Sequence, residues 1–190
     1  MTSEEIIALA REIHAGNIAA GWWSMGIENR NRPEILMLVV SEVGEASEGA
    51  LTGAMDDKLP HLPMFDVELA DTAIRLLDVI GADAVEGEGA LADWGTLLYS
   101  VLGEFDHVED NPDAELMVVV RYVCRAMEGH RKERTAEYRQ YLWTALAGVF
   151  EIADLHNIEL ADMIAQKRAF NAVRADHKPE NRAKAGGKAY

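Results

Sequence analysis

Two pairs of acids in this chain have a spacing that can do chemistry: Glu42-x-x-Glu45 and Glu68-x-x-Asp71. Three residues apart, the carboxylates of each pair lie one turn apart on one helix face. Two such helices packed side by side bring four carboxylates together. A site built of oxygen ligands with high negative charge suits Mg²⁺, or alternatively Mn²⁺. A divalent ion there can grip a polyphosphate and activate water. The spacing alone is a weak sign in so acidic a chain. Glu159-x-x-Asp162 repeats the ELAD tetrapeptide of 68–71, yet reads as the acidic first turn of a helix, where carboxylates favour the dipole. Asp71 also has an ordinary partner in Arg75, four residues on. Glu42 and Glu45 have no basic residue three or four positions away. A di-iron bundle site is the competing chemistry and needs two Glu-x-x-His elements. The chain has one, Glu104-x-x-His107.

The elements that must position these acids are helices. The chain has 28 alanines and five prolines, and the prolines fall between segments. Alanine has the best helix propensity and proline the worst. The pattern predicts seven helices, over about 3–25, 33–54, 66–80, 90–107, 114–130, 136–156 and 158–175. Thr2-x-x-Glu5 forms a capping box for the first, and Pro33 suits the first turn of the second. Asp66 is the expected N-cap of the third, with Gly81 just beyond its end. Asn111-Pro112-Asp113 starts the fifth, and Thr135 is the expected cap of the sixth. The fold class is all-α, a helical bundle with an internally duplicated helix-pair unit.

The duplication rests on two segments. Ile35–Gly49 and Glu115–Gly129 are identical at eight of fifteen positions, at an offset of 80. A weaker match aligns Arg75–Asp83 with Glu151–Glu159. The apolar framework is kept while the acids are not. Glu42 and Glu45 align with Tyr122 and Arg125, and Glu68 and Asp71 with Thr144 and Ala147. Confinement of the acids to one copy points to one working site and one structural half, with drift as the alternative. The expected organisation is one all-α domain over 1–190. Its parts are a metal-site repeat over 1–85, a degenerate repeat over 86–157, and a phosphate-binding helix with a basic tail over 158–190.

The run Ser41–Asp78, with Ser41-Glu42-Val43-Gly44-Glu45 followed by Glu68-Leu69-Ala70-Asp71, resembles the MazG-like all-α nucleoside triphosphate pyrophosphohydrolases, relatives of the dimeric dUTPases. Their signature is E-E-x-x-E then E-x-x-D, and Ser41 replaces its first Glu. Lys167-Arg168-Ala169-Phe170-Asn171-Ala172-Val173-Arg174 is similar to the family's K-x-x-x-N-x-x-R element, and His14, Asn17 and Gly21-Trp22-Trp23 resemble its first helix. The resemblance covers about 1–85 and 156–190; the middle looks like an added second unit.

The resemblance implies Mg²⁺-dependent hydrolysis of a (d)NTP to the (d)NMP and pyrophosphate. Glu42, Glu45, Glu68 and Asp71 would hold the metal, and Glu42 or Glu45 would act on the attacking water. Lys167, Asn171 and Arg174 share one helix face and can contact phosphate oxygens. Lys178 and Arg182 would reach the phosphates from the tail, which otherwise reads as a solvated terminus. Asn17 and Trp22 are the candidate base contacts; the other tryptophan is expected in the core. His14 reads as a packing or capping residue. Two further readings stand beside this one. One is a non-catalytic nucleotide-binding or interaction bundle that has lost turnover; the other is hydrolysis of a phosphoribosyl-nucleotide intermediate. The family habit implies a homodimer, and the duplication allows a self-sufficient monomer.

Composition sets the outer limits. The 18 basic and 33 acidic residues give a net charge of −15, which disfavours a nucleic-acid polymer as partner. The charge is uneven, however: residues 166–190 hold seven basic and two acidic residues. A basic tail facing metal-loaded acids can make a phosphate-binding cleft. One cysteine cannot form an intrachain disulfide, and the acidic N-terminus is unlike a signal peptide. The apolar runs are too short to span a bilayer. A cytoplasmic protein with no membrane role is expected.

Overall fold

Proline and left-handed glycine set several of the helix ends in the computed structural model. It describes residues 1–24, 26–27, 29–85, 94–105, 108 and 111–174. Seven helices are found among them: α1 (Ser3–Ala19), α2 (Arg32–Thr52), α3 (Met64–Val85), α4 (Trp94–Phe105), α5 (Pro112–Arg131), α6 (Thr135–Leu155) and α7 (Leu160–Val173). The architecture is an all-α bundle. None of these helices is long and apolar enough to cross a membrane. Lys178, Arg182 and His107 lie outside the described residues.

The capping box at α1 forms as expected: Glu5 N–H donates to Thr2 Oγ1 and Thr2 N–H to Glu5 Oε2. The helix stops earlier than expected. Gly21 adopts φ +78° and turns the chain, so Trp22 and Trp23 belong to a turn and not to α1. Asn31 caps α2, and Gly53, at φ +63°, closes it. Asn111 caps α5 through the Asp113 and Ala114 amides.

Three helix-end expectations fail. Asp66 is the third residue of α3, which starts at Met64 directly after a short Met55–Pro63 bridge. Thr135 is the first residue of α6; Arg134 holds the cap position, and no side chain caps that end. Gly81 does not end α3 either. Added there, a Cβ would lie 2.2 Å from the Ala10 carbonyl oxygen, so this glycine is where the α1 backbone rests on α3.

α3 is the central helix and packs against α1, α2, α6 and α7. Leu69, Ala70, Ala73, Leu76 and Leu77 on it are fully buried. α5 and α6 pair with each other, α2 meets α5, and α4 covers α6. Close approach within the two hairpins depends on glycine. A Cβ at Gly49 on α2 would meet Phe65 N at 2.6 Å, and one at Gly129 on α5 would meet Tyr138 N at 2.8 Å.

Candidate active site

The α2–α3 packing turns one edge of each helix toward the other and toward α7. Glu42 and Glu45 come from α2, Glu68 and Asp71 from α3, and Lys167 and Asn171 from α7. All six line a single cleft of about 480 Å³, together with Arg174, Asn17, Trp22 and Ser41. Every sequence-nominated site residue that is described therefore borders one space. Arg174 does so from just past the end of α7, where the backbone is already extended, so it extends the Lys167/Asn171 face without belonging to the helix.

The acids do not contribute equally. Ligand atoms of Glu42, Glu68 and Asp71 lie within 4.8 Å of one another, whereas Glu45 stands outside that group and is exposed. Glu68 is only 2 % exposed, and its Oε2 has no hydrogen-bond partner among the described residues. A buried carboxylate oxygen without a donor is costly unless a cation or a proton supplies what is missing. Three converging oxygen donors with one orphaned buried atom fit a hard divalent cation such as Mg²⁺ or Mn²⁺. The candidate ligands are thus Glu42, Glu68 and Asp71, with Glu45 beside them.

Two cations already stand among these acids. Lys167 is 1 % exposed, and its Nζ lies 2.9 Å from Asp71 Oδ2 and 3.8 Å from Glu68 Oε1. Sequence spacing nominated Lys167 for phosphate; its ammonium lies against the acids. Arg75 donates to Glu42 Oε1 through Nε at 3.0 Å and Nη2 at 2.8 Å. The expected i,i+4 pair of Arg75 with Asp71 is replaced by this bond across helices.

Burial and crowding raise the affinity of the acids for protons. Burial pushes the Glu68 carboxyl up to about 8, against the pull of Lys167 and with Asp71, Glu42 and Glu45 adding to the rise. Burial likewise brings Asp71 up to about 6, with Lys167 opposing. Glu45 is raised by partial desolvation and then by Glu42 beside it.

Three cleft residues were not readable from spacing. Lys58 reaches the cleft from the loop between α2 and α3. An Asx turn holds that loop, Asp56 Oδ1 accepting from the Lys58 and Leu59 amides. Asp78 borders the opposite end; it accepts from Trp23 Nε1 at 3.1 Å, and its Oδ1 lies 2.7 Å from His14 Nδ1. His14 is fully buried, so it anchors Asp78 and matches its expected packing role. Trp23 is the core tryptophan and Trp22 the more accessible one. Arg75 completes the three. Glu159 and Asp162 lie away from the cleft at the start of α7, as the helix-dipole reading expects.

An apolar recess between α1 and α7 adjoins the cleft and shares Asn17, Trp22, Ile74, Asn171 and Arg174 with it. The cleft therefore runs from a carboxylate end to an aromatic and amide end. No protein-family model, curated protein or solved structure matches the chain.

Proposed function

We propose that the chain is a Mg²⁺-dependent nucleotide pyrophosphohydrolase that converts a (d)NTP to (d)NMP and pyrophosphate. The observation that carries this reading is the polarity of one cleft. Buried acids suited to a divalent ion stand at one end with Lys167 against them, and Asn17, Trp22, Asn171 and Arg174 border the adjoining recess at the other. A triphosphate along the acids and cations places its base toward Asn17 and Trp22.

Glu42, Glu68 and Asp71 would hold the metal, with Glu45 at their edge. When bound, the ion supplies charge neutralisation of the phosphates and lowers the pKa of water. Glu45 has no hydrogen-bond partner among the described residues, while Glu42 is held by Arg75. Glu45 is therefore the better placed of the two to take the proton of the attacking water. The water oxygen bonds to the α-phosphorus, the α–β bridging bond breaks, and pyrophosphate leaves. Lys58, Asn171 and Arg174 orient the phosphates. Pyrophosphate release from a panel of (d)NTPs with Mg²⁺ tests the reading, and wild-type turnover by a Glu68→Gln variant would sink it.

We read the α5–α6 hairpin as a second copy of the α2–α3 hairpin that fills its own site. The glycine contacts support this, with a register one turn from the expected one: matching Phe65 to Tyr138 puts Tyr141 in the place of Glu68 and Thr144 in that of Asp71. In that register Tyr122, Arg125 and Tyr141 correspond to three of the acids, and they also touch. The Tyr122 and Tyr141 rings are 6.2 Å apart, with the Arg125 guanidinium 5.1 Å and 5.8 Å from them. The second hairpin then serves as the partner half within one chain. A sedimentation measurement decides between this self-sufficient arrangement and the homodimer.

A second reading has one observation in its favour. Lys167 already neutralises Asp71 and Glu68, so the cluster is partly satisfied without a metal. A nucleotide-binding bundle without turnover is consistent with that and with Ser41. Detectable (d)NMP from purified protein and Mg²⁺ excludes it.

A further inference from the structure

A second cavity, of about 680 Å³, opens between the segment leading into α2 and the α5–α6 turn. Among the described residues four arginines line it, Arg30, Arg32, Arg134 and Arg139, against two carboxylates, Asp83 and Glu133. That surplus of positive charge is local, in a chain with a net charge of −15. Asp83 is committed to the wall: its Oδ1 lies 3.2 Å from Arg32 Nη2 and its Oδ2 4.0 Å from Arg139 Nε. Arg32 is 12 % exposed, and its Nη1 is buried without a hydrogen-bond partner among the described residues. A guanidinium donor in that position is an unmet demand for an acceptor.

Two helix N-termini add to the same field. Asn31 to Pro33 bring the start of α2 to the cavity, and Arg134 and Thr135 bring the start of α6. α6 has 21 residues and no side-chain cap, so its first amides lack the partner a capping residue supplies. Arginine forks and helix N-terminal amides both favour tetrahedral, multiply charged oxyanions.

We propose that this cavity binds a phosphate-type oxyanion, of the size of pyrophosphate or the phosphate tail of a nucleotide, separately from the acid cleft. The volume falls in the range of small-molecule sites. The inference does not rest on the hydrolase reading. A physical link between the two spaces exists, because Arg30 lines both. Arg30 and Arg32 also place their guanidinium carbons 5.9 Å and 5.5 Å from the Trp23 ring centre, and Trp23 holds Asp78 at the border of the acid cleft. An anion drawing on these arginines changes the surroundings of Trp23, and through it the Asp78 end of the cleft.

The test is calorimetric titration of the full chain with inorganic pyrophosphate in EDTA, with tryptophan fluorescence recorded in parallel. EDTA removes any divalent ion from the acid cleft, so binding there would have to draw on cleft side chains such as Arg174. Saturable one-to-one binding with a fluorescence change is expected, weakening as salt is raised. Arg134 is exposed, so Arg134→Ala leaves the fold intact; it should weaken binding about tenfold, the scale of one charge-assisted hydrogen bond. Arg32→Gln should abolish binding, with circular dichroism checking the fold, and Arg174→Ala in the acid cleft should leave it unchanged. A parallel titration with a nucleoside monophosphate and inorganic phosphate separates the sources: tighter binding of the nucleotide identifies a nucleotide site, equal binding a free-anion site. The proposal is overturned by absence of saturable binding, or by binding that Arg174→Ala removes and Arg134→Ala does not.

Discussion

The α2–α3 and α5–α6 hairpins share their packing and differ in their chemistry. Each closes around a glycine on its first helix, Gly49 or Gly129, against the backbone that starts the second. Each keeps Val, Ala and Leu on the inward faces. At the middle of the first hairpin lie three converging carboxylates and a buried lysine. At the middle of the second lie Tyr122, Tyr141 and Arg125, with Glu104 accepting from the Tyr122 hydroxyl. Packing restricts residues that face a neighbouring backbone, because there is no room for a change of volume. It leaves the polar faces open to exchange. The second arrangement satisfies itself with stacking and a hydrogen bond; the first is left with an orphaned oxygen on Glu68.

That contrast can be broken in four ways. The largest effect is expected from Glu68→Gln, which should lower pyrophosphate release from a (d)NTP by about 100-fold or more through loss of a metal ligand. Tyr141→Phe, at the matching place, should leave the rate within about twofold, as expected for a change remote from the chemistry. Steady-state assays with Mg²⁺ read both.

Next comes pH. In the folded, metal-free protein Glu68 titrates near 8 and Asp71 near 6, both above their ordinary values. A carboxyl whose pKa rises on folding binds its proton more tightly when folded. Its contribution to stability is full below the unfolded pKa and is lost as pH climbs to the folded one. Melting temperature in EDTA should therefore fall between about pH 4.5 and pH 8, and Glu68→Gln should flatten the fall. Mg²⁺ should restore most at the alkaline end, where the carboxylates are ionised.

A smaller effect, expected to be equal in both hairpins, tests their shared framework. Gly49→Ala and Gly129→Ala each force helices apart and should cost about 1–3 kcal/mol by urea unfolding. A neutral Gly129→Ala would break the equivalence. The smallest effect belongs to Tyr122→Phe, which removes one partly buried hydrogen bond to Glu104 and should cost about 1 kcal/mol, with turnover unchanged.

Much of the site was legible because helix spacing is local. The i,i+3 acids and the i,i+4 Lys167/Asn171 pair needed only the knowledge that these segments are helical. What was missed depends on tertiary placement. Arg75 looked like a partner for Asp71 within α3, but Glu42 on α2 is the acceptor it meets. Lys58 enters the cleft because Asp56 ties a loop into a turn. The Asp78–Trp23–His14 network joins residues up to 64 positions apart, and no spacing rule reaches that far. The helix ends show the same limit. Gly21 ends α1 because its backbone turns left-handed, while Gly81 continues α3 because α1 needs the space above it. Composition does not distinguish the two glycines.

Lys167 gives the acid cluster a counter-ion that the chain itself carries. A tethered cation is present at a fixed and high effective concentration, whatever the surrounding solution contains. A free divalent ion enters such a cluster only by competing with it. The tether then raises the ion concentration needed for half-occupancy by a constant factor, and the same contact keeps the acids neutralised in the bundle when ions are scarce.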